Sequence, residues 1–443
     1  MSVTLPQAFE KAMRELLGEE FPAYQAALEE PAFRGLRRNP LKCRQGELEP
    51  LLPFPWKETP FSPLSSYAPA DWKPGALPPH HAGLFYVQEP SACSAVTALD
   101  PQPGDRVLDL CAAPGGKSTQ IAGQLEGRGL LWANEIVKSR AQILLSNIER
   151  LGVRNGVVSS CHPQRLCESL RGFFDRVLVD APCSGEGMFR RDPQAIDQWT
   201  PEAPAACAQR QRAILDSAAL AVGEGGVLVY STCTFSREEN EDNVRWFLSA
   251  HPEFQLVPLD LAFGRPGVEG LPVRRVFPMD GGEGHFVAKF RRVGENPCRA
   301  GEFAGLLPKK EEGEPRALFE ELFTCPWPGN AARFGEQVLL LPQGLPELSG
   351  LGVLRAGVEL CRKKGKRWEP SHAAFQAARK EDCRQVLDLA WDSPALLAFL
   401  RGEEIDCEGK GYTALCAGGV PTGFGKASGG RLKNHYPKGL RNL

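Results

Sequence analysis

The chain has 443 residues, 42% of them hydrophobic, and a formal net charge of −2, so we expect two to four globular domains. No apolar run approaches the ~18 residues of a membrane span, and the N-terminus, Met1 to Pro6, lacks a signal-peptide pattern. The 14 cysteines include no C-x-x-C pair, which argues against a zinc site or a secreted disulfide framework and predicts a reduced, cytoplasmic protein without a metal.

The first 90 residues carry charge and aromatic rings but little periodicity. Residues 5–30 predict two short amphipathic helices, broken at Phe21-Pro22. A basic segment then follows, with Arg34, Arg37, Arg38, Lys42 and Arg44. These charges fit either a solvated surface or an edge that contacts phosphates. Residues 51–79 are rich in proline and aromatic side chains and predict an irregular, extended cover.

The most informative stretch is the short apolar run Val107–Leu110, the loop from Cys111 to Gly116, and a helix that opens at Lys117. An apolar run of this length is typical of a buried parallel strand. Small residues in the loop let the backbone approach a ligand, and the free N–H groups of the helix point at it. A strand, a tight turn and a helix together predict the mouth of a nucleotide site.

Four interpretations of this loop compete. A P-loop would explain Lys117, but the glycine that it needs five residues before Gly116 is Cys111. The dinucleotide pattern G-x-G-x-x-G is absent. An S-adenosylmethionine loop needs only small residues, and Glu135, after the apolar run 130–133, is an acid placed to accept hydrogen bonds from ribose hydroxyls. A strand, turn and helix without any ligand is the fourth possibility.

From Val107 to about Arg292 strands and helices alternate, which predicts a doubly wound α/β sheet of the Rossmann-like kind. Further strands are predicted at residues 157–158, 176–180, 226–231, 254–257 and 285–290. Further helices are predicted at residues 91–99, 139–151, 205–222 and 237–250. Ser236 and Glu239 have the spacing of a capping box, which would fix the start of the last of these helices.

Two neighbouring strands of this sheet each end in a thiol. The fourth strand ends in Asp180-Ala-Pro-Cys183, and the fifth ends in Ser231-Thr-Cys233. Ligands of an open parallel sheet bind at the carboxyl ends of its strands, so Asp180, Cys183 and Cys233 should face the glycine loop. A single cysteine is most simply a small buried hydrophobe, but two thiols beside a cofactor loop indicate chemistry.

Carbon 5 of cytosine suits this pair, because it is too weak a nucleophile to take a methyl group unaided. A thiolate that adds to carbon 6 makes carbon 5 reactive, and a second group must then help to release the thiolate. Only a few per cent of an ordinary thiol, pKa ~8.5, is thiolate at neutral pH. A helix start after Ser236 would increase that fraction. Asp180 would hold a flipped or single-stranded base by its amino edge.

Beyond Arg292 the composition changes, and residues 309–315 are linker-like. Residues 316 to about 380 predict a small mixed domain with a basic cluster at 362–367. The last module ends in a tail whose basic residues are Lys426, Arg431, Lys433, Lys438 and Arg441. Basic charges beside the rings of His435 and Tyr436 fit RNA, and a frayed basic tail is the alternative.

Three motifs, Cys-Ala-Ala-Pro-Gly-Gly-Lys, Asp-Ala-Pro-Cys-Ser-Gly and Ser-Thr-Cys-Thr, resemble in this order the Nop/Sun family of RNA cytosine-5 methyltransferases over roughly residues 83–293. The basic segment before residue 50 and the ending 434–441 resemble the bacterial branch that acts on small-subunit ribosomal RNA. The resemblance implies a class I methyltransferase sheet with an N-terminal RNA-binding extension and a C-terminal PUA-like module.

The resemblance implies four regions, with boundaries at 1–92 (RNA-binding extension), 93–293 (methyltransferase domain), 294–380 (linker and small mixed domain) and 381–443 (PUA-like module). It implies S-adenosylmethionine as cofactor and 16S ribosomal RNA, or the small ribosomal subunit, as partner of a monomer. The alternatives are a transfer RNA methyltransferase, a P-loop-like nucleoside-triphosphatase and an RNA-binding assembly factor.

The resemblance also assigns roles to single residues. The methionine part of the cofactor would lie on Cys111, Ala112, Ala113, Pro114, Gly115, Gly116 and Lys117. Glu135 would hold the ribose, and His162 stands where the family usually presents an acid near the adenine, which predicts a weaker contact. Asp180 would lie between cofactor and base. Cys233 would attack and Cys183 would assist release, whereas DNA cytosine methyltransferases, with the nucleophile after the proline, would nominate Cys183 instead.

Overall fold

The computed structural model describes residues 5–442. Residues 1–4, which bear on the signal-peptide prediction, and Leu443 lie outside this range. The described chain contains an N-terminal four-stranded sheet, a central nine-stranded sheet and two smaller C-terminal sheets of four and five strands. No helix among residues 5–442 is long and apolar enough to cross a membrane.

The N-terminal region has three helices, α1 (Gln7–Leu17), α2 (Phe21–Glu29) and α3 (Pro78–His81). Its strands are β1 (Arg34–Arg38), β2 (Glu58–Thr59), β3 (Ser62–Ala68) and β4 (Phe85–Gln88), in the order β2-β3-β1-β4. The prediction of an irregular cover over 51–79 was wrong, because β3 pairs with β1. Pro63 is tolerated because the pairing with β1 involves only Ser65 to Ala68, where every residue has an N–H to donate.

The central sheet begins with β5 (Arg106–Asp109), β6 (Leu130–Asn134), β7 (Gly156–Ser159), β8 (Phe174–Asp180) and β9 (Val222–Thr232), which are parallel. Three strands then complete one edge, β10 (Phe254–Val257), β11 (Arg274–Val276) and β12 (His285–Arg292). The order β10-β12-β9-β8-β5-β6-β7, with β12 antiparallel to β9, confirms the predicted Rossmann-like methyltransferase sheet.

The helices of this region are α4 (Ser94–Leu99), α5 (Gly116–Leu125), α6 (Lys138–Arg150), α7 (Pro163–Ser169), α8 (Pro193–Gln198), α9 (Ala203–Ala221) and α10 (Glu241–Ala250). They cover both faces of the sheet, so Val107 and Leu108, which point to opposite faces, are both buried. Ile143 on α6 is 54% exposed, because the buried stripe of α6 runs through Ala141, Leu144 and Ile148.

The predicted capping box before α10 was wrong. The helix begins at Glu241 with Asn240 as its N-cap, so it starts later than Arg237. Ser236 accepts a hydrogen bond from the backbone of Glu239 at 3.4 Å, but the Glu239 carboxylate turns away to other partners. The helix start that was expected to favour a thiolate at Cys233 is therefore several residues further along the chain.

The first C-terminal region consists of α11 (Gly313–Leu322), β13 (Ala331–Phe334), β14 (Gln337–Leu340), β15 (Val353–Ala356), β16 (Val358–Lys364), β17 (Arg367–Pro370) and α12 (His372–Ala377). Its sheet has the order β13-β14-β16-β17, whereas β15 leaves it and pairs antiparallel with β7. The central sheet is thus completed by a strand that the sequence did not predict.

The last module contains β18 (Val386–Leu389), α13 (Pro394–Arg401), β19 (Ile405–Asp406), β20 (Gly411–Ala417), β21 (Val420–Ser428) and β22 (Arg431–Asn434). Its basic tail is not frayed, because β21 and β22 pair within the sheet. Tyr436 is buried, and its hydroxyl lies 2.7 Å from Nδ1 of His81 in the N-terminal region. The idea that Tyr436 is a surface ring for RNA stacking was therefore wrong.

Candidate active site

A cavity of about 330 Å³ lies at the carboxyl ends of β5, β8 and β9. Most of the residues predicted to contact cofactor or base form its wall, namely Cys111, Ala112, Ala113, Pro114, Gly116, Lys117, Asp180 and Cys233. Gly115, Glu135, His162 and Cys183 lie outside this wall. Strand β12 and the end of β4 contribute side chains that sequence reasoning did not assign to the site.

The glycine loop is held from two sides. Gly115, with φ of 112°, precedes α5 in a conformation that favours glycine, and its carbonyl accepts a hydrogen bond from the Thr119 backbone at 2.9 Å. Ala112 donates to the carbonyl of Asn134 at 2.8 Å. A side chain on Gly116 would come within 3.2 Å of the Tyr86 ring. The loop is therefore a fixed shelf of small residues under the cavity.

Arg37 supports this shelf from the N-terminal sheet. Its side chain is only 2% exposed, and its guanidinium donates to the Gly116 carbonyl and to Oγ1 of Thr119, both at 2.7 Å. Arg38 is also buried, and Lys42 donates to the carbonyl of Gln376. These three residues form neither a solvated surface nor an edge that contacts phosphates. Both interpretations of the basic segment therefore fail for them.

Asp109, at the end of β5, is a cavity residue that sequence reasoning missed. It is fully buried, and one of its carboxylate oxygens accepts a hydrogen bond from Ser118 at 2.6 Å. The other oxygen has no hydrogen-bond partner within residues 5–442. Burial raises the pKa of Asp109 to about 7. The cavity thus contains a buried acceptor suited to a cation or an N–H donor, and its position at a strand end was the available signal.

Glu135 directly follows β6, His162 directly precedes α7, and neither residue lines the cavity. The Glu135 carboxylate is buried at the end of β6, accepts a hydrogen bond from the Val137 backbone at 3.0 Å and lies 3.4 Å from the Arg140 guanidinium. His162 is the N-cap of α7, and its Nδ1 accepts from the Gln164 backbone at 3.3 Å. Their contacts with a ribose and an adenine stay predictions.

Asp180 faces the cavity as an ionised acceptor. Lys117 donates to one of its oxygens at 2.7 Å, and Ser231 donates to the other at 2.7 Å. Burial alone would raise the pKa of Asp180, but the neighbouring charge and hydrogen bond of Lys117 bring that pKa below its usual value. The pair therefore supplies a fixed carboxylate whose remaining lone pairs are open to a ligand.

The structure brings the two predicted thiols together, with the sulfur atoms of Cys183 and Cys233 3.3 Å apart. Cys233 forms part of the cavity wall, and Cys183 lies behind it. The pKa of Cys183 is raised well above its usual value, chiefly by its hydrogen bond with Cys233 and then by burial. Cys183 is therefore a protonated thiol at neutral pH.

Glu239 secures the turn that carries Cys183. Its carboxylate is completely buried and accepts hydrogen bonds from the Ser184 backbone at 3.0 Å, from the Ser184 hydroxyl and from Gln211 at 2.7 Å. Burial raises the pKa of Glu239 to about 7. The sequence hid this role, because the spacing of Ser236 and Glu239 fits a capping box equally well.

His285, the first residue of β12, places its ring in the cavity wall opposite the glycine loop. Its Nε2 lies 3.9 Å from the Asp180 carboxylate, beyond hydrogen-bonding distance. Burial, together with the charge of Lys117, lowers the pKa of His285 to about 3. The ring is therefore neutral. The sequence predicted only an edge strand here, and a histidine at its start gave no signal of a site.

Four family models match the chain in consecutive order. They describe the N-terminal domain of 16S rRNA methyltransferase RsmF (residues 5–90), 16S rRNA methyltransferase RsmB/F (96–291), the RsmF rRNA methyltransferase first C-terminal domain (318–375) and the methyltransferase RsmF PUA domain (386–442). Together they cover the N-terminal sheet, the central sheet and both C-terminal regions.

Relatives of similar length match from end to end. Ribosomal RNA small subunit methyltransferase F from Escherichia coli O157:H7 is 33% identical over 476 residues, covering 99% of this chain and 97% of that protein. The protein of the same name from Klebsiella pneumoniae is 33% identical over 471 residues, with the same coverage. The whole chain, including both C-terminal regions, is therefore shared with these proteins.

Two solved structures from Pyrococcus horikoshii share the fold. A methyltransferase homolog protein is 30% identical with a TM-score of 0.57, covering 66% of this chain and 96% of that one. NSun6 is 25% identical with a TM-score of 0.59, covering 67% of this chain and all of that one. Both likenesses extend over about two thirds of this chain.

Proposed function

The chain belongs to the RsmF family of 16S ribosomal RNA methyltransferases, and from this premise we propose that it methylates carbon 5 of cytosine through a covalent bond to Cys233. The predicted resemblance and the S-adenosylmethionine-dependent methyltransferase activity are confirmed by the family assignment, which disfavours the P-loop alternative. The observation that supports the covalent route is a pair of thiols 3.3 Å apart, beside an ionised carboxylate at a cavity wall.

The residues of the cavity fit S-adenosylmethionine. The small side chains from Ala112 to Gly116 leave room above the loop, and the unpartnered oxygen of Asp109 suits an ammonium group. The buried Glu135 carboxylate stands at the next strand end, as a ribose-binding acid does. When bound, S-adenosylmethionine supplies a methyl group on a sulfonium, which is an electrophile that a carbon nucleophile can attack.

Asp180 and Lys117 would position the target base. Lys117 keeps Asp180 ionised by a 2.7 Å hydrogen bond, and an ionised carboxylate accepts hydrogen bonds from the amino edge of a cytosine that has left its stack. Such a contact would hold the ring above Cys233, which lies in the same wall. Asp180 would therefore orient the base without reacting with it.

The covalent steps use the two thiols in turn. The Cys233 thiolate adds to carbon 6, forming an S–C bond, and the electron pair of the 5,6 double bond makes carbon 5 nucleophilic. Once carbon 5 carries the methyl group, Cys183 gives its own proton to solvent and, as a thiolate, takes the proton from that carbon. The freed electron pair re-forms the 5,6 double bond, and the S–C bond breaks to return the Cys233 thiolate.

The positions of the two thiols support this division of roles, because Cys233 lines the cavity and Cys183 does not. While both thiols are free, the hydrogen bond with Cys233 raises the pKa of Cys183, so Cys183 keeps its proton at neutral pH. Once the Cys233 sulfur is bonded to the base, the chief cause of the raised pKa is removed. Cys183 then loses its proton more readily, at the stage where a base is needed.

The two single mutants should fail differently. Cys233→Ala cannot attack carbon 6, so it should bind RNA, transfer no methyl group and form no covalent complex. Cys183→Ala should still attack and methylate, but a denaturation-resistant protein–RNA adduct should accumulate when S-adenosylmethionine is supplied. A denaturing gel with labelled RNA separates these results. Cys207→Ala is the matched control, because Cys207 is a partly buried thiol on α9. An adduct from Cys233→Ala and none from Cys183→Ala would exchange the two roles.

The substrate is tested by bisulfite mapping of ribosomal and transfer RNA from cells with and without the protein. We expect 5-methylcytosine to disappear from 16S ribosomal RNA at one or a few positions, with transfer RNA unchanged. Disappearance from transfer RNA alone would contradict the ribosomal assignment. The same comparison on free RNA and on assembled subunits would identify the form of the substrate.

We further propose that the enzyme is a cytoplasmic monomer that needs no metal, with region boundaries at residues 92, 293 and 380. All 14 cysteines are free thiols in the structure, which supports a reducing compartment. Strand β15 pairs with β7, so the proposed boundary at 293 separates two regions that share the central sheet. Light scattering of the purified enzyme tests whether it is a monomer. Metal analysis of the same sample tests whether it needs a metal.

A further inference from the structure

One polar atom in the cavity wall has no role in the chemistry proposed above. The His285 ring is 3% exposed, and its Nε2 is buried without a hydrogen-bond partner within residues 5–442. It lies in the same wall as Asp180 and Cys233. Burying a nitrogen without a partner costs free energy, so a side chain kept in this position suggests a partner that arrives with a ligand.

The state of the ring defines what this partner must be. The pKa of His285 is lowered to about 3 by burial and by Lys117, so the ring is neutral and one nitrogen carries the proton. Nε2 lies in the cavity wall without a partner, and the tautomer that gives it a free lone pair is the one that carries the proton on Nδ1.

Two acceptors thus stand side by side, Nε2 of His285 and an oxygen of Asp180, 3.9 Å apart. We propose that together they recognise the exocyclic amino group of the target cytosine, each accepting one of its two N–H bonds. This inference rests on the proposed function and assigns the choice of base within it. A uracil would place a carbonyl oxygen against both acceptors, leaving all three lone-pair groups unsatisfied, so the pair would reject it.

The test combines a protein change with a matching change in the base. The substrates are a small-subunit RNA fragment that carries the mapped cytosine, and the same RNA with 2-pyrimidinone there, which has hydrogen in place of the amino group. Wild type, His285→Phe and His285→Gln are compared. His285→Phe keeps an aromatic ring without nitrogen, and His285→Gln restores an acceptor. For each pair, methylation or adduct formation gives kcat/KM, and calorimetry gives the Kd for S-adenosylmethionine.

We expect His285→Phe to lower kcat/KM on cytosine RNA about tenfold or more, but on 2-pyrimidinone RNA less than about threefold, because the amino group is already missing. His285→Gln should recover part of the activity on cytosine RNA. The Kd for S-adenosylmethionine should stay within about twofold in every variant, which also shows that the variants fold.

Equal decreases on the two RNAs would assign His285 a structural role and overturn the inference. A weakened Kd for S-adenosylmethionine with unchanged RNA kinetics would assign His285 to the cofactor and overturn it as well. These results come from an enzyme that is active on cytosine, so they leave the proposed function intact. A wild-type protein that leaves carbon 5 unmethylated would instead overturn the proposed function, and this inference with it.

Discussion

Two basic segments of the chain look alike in sequence and differ in the structure. Residues 34–44 and residues 362–367 each carry five positive charges. In the first, Arg37 lies on β1, which has β3 and β4 as neighbours, and its guanidinium is buried on the glycine loop. In the second, the hairpin of β16 and β17 ends its sheet, and Lys366 and Arg367 are exposed. The density of charge alone therefore does not decide which arginine is solvated, because Arg37 is covered by the glycine loop and α5, whereas Arg367 lies on the edge strand β17.

The exposed segment belongs to a larger patch, the C-terminal basic surface, which consists of Lys366, Arg367, Lys426 and Lys433. Lys426 and Lys433 are paired across β21 and β22, and Lys426 lies 4.9 Å from the centre of the Tyr412 ring. Trp368 and Tyr412 pack against the same hydrophobic cluster, so the two C-terminal regions meet here. None of the four cations forms a salt bridge within residues 5–442. They suit phosphates.

The strongest test of this contrast is Arg37→Ala. Removing a buried guanidinium takes one donor from the Gly116 carbonyl and one from the Thr119 hydroxyl oxygen and opens a void, so the free energy of unfolding should fall by about 3 kcal/mol or more. S-adenosylmethionine affinity should fall about tenfold because the loop loosens. Urea unfolding and calorimetry measure the two effects. Arg44→Ala, at an exposed position of the same segment, should change stability by less than ~0.5 kcal/mol.

The opposite outcome would show that the two basic segments do not differ in role. An Arg37→Ala protein of unchanged stability and reduced RNA affinity would show that the first segment meets phosphates after all. The lower S-adenosylmethionine affinity should also appear without any RNA present, which separates a loosened loop from a missing RNA contact.

The second test changes all four residues of the C-terminal basic surface to alanine. RNA affinity should fall by roughly tenfold or more at low salt, and the dependence of log affinity on log salt should flatten by roughly 0.7 to 0.9 for each phosphate that the protein no longer binds. Stability and S-adenosylmethionine affinity should not change. The matched control replaces four exposed arginines that already pair with nearby acids, namely Arg14, Arg128, Arg316 and Arg401. An equal flattening in this control would mean that net charge, and not this surface, binds RNA.

The third test concerns Lys42, which belongs to the first segment and donates to the Gln376 carbonyl. Burial and the charge of Arg154 lower its pKa to about 7, from 10.5 in an unfolded chain. Between about pH 7 and pH 10.5 the unfolded state therefore binds more protons, so this residue makes stability rise with pH, by at most ~1.4 kcal/mol per unit. Lys42→Met should remove that part of the slope in urea unfolding across pH 7 to 9. Lys433→Met should leave the slope unchanged. Equal slopes for both variants would show that the Lys42 amino group is solvated.

The parts of the site that follow from topology could be predicted from the sequence. Once the alternation of strands and helices indicated a parallel sheet, the carboxyl ends of β8 and β9 were expected at the same edge, and Cys183 and Cys233 lie there, 3.3 Å apart. The features that escaped prediction depend on long-range packing. Arg37 is buried because of strands far along the chain, and Glu239 satisfies a local capping pattern that loses to Ser184 and Gln211.

His285 escaped for a related reason. Its strand was predicted, but which residue of β12 would lie opposite Lys117 depends on the antiparallel register with β9, where Phe286 pairs with Thr232. No spacing within the chain encodes that register. The pairing of β15 escaped prediction for the same reason. Its residues show no pattern that distinguishes pairing with a strand of the central sheet from pairing with a strand of its own region.

That strand has a consequence for how the enzyme is made. Val353 pairs with Ser159, so the free edge of β7 is closed by a segment that leaves the ribosome long after the catalytic strands have emerged. During synthesis the growing chain therefore presents β7 as an unpaired edge, the kind of surface that invites pairing with other chains. The enzyme that modifies ribosomal RNA thus completes its own catalytic sheet only when translation is about four fifths finished.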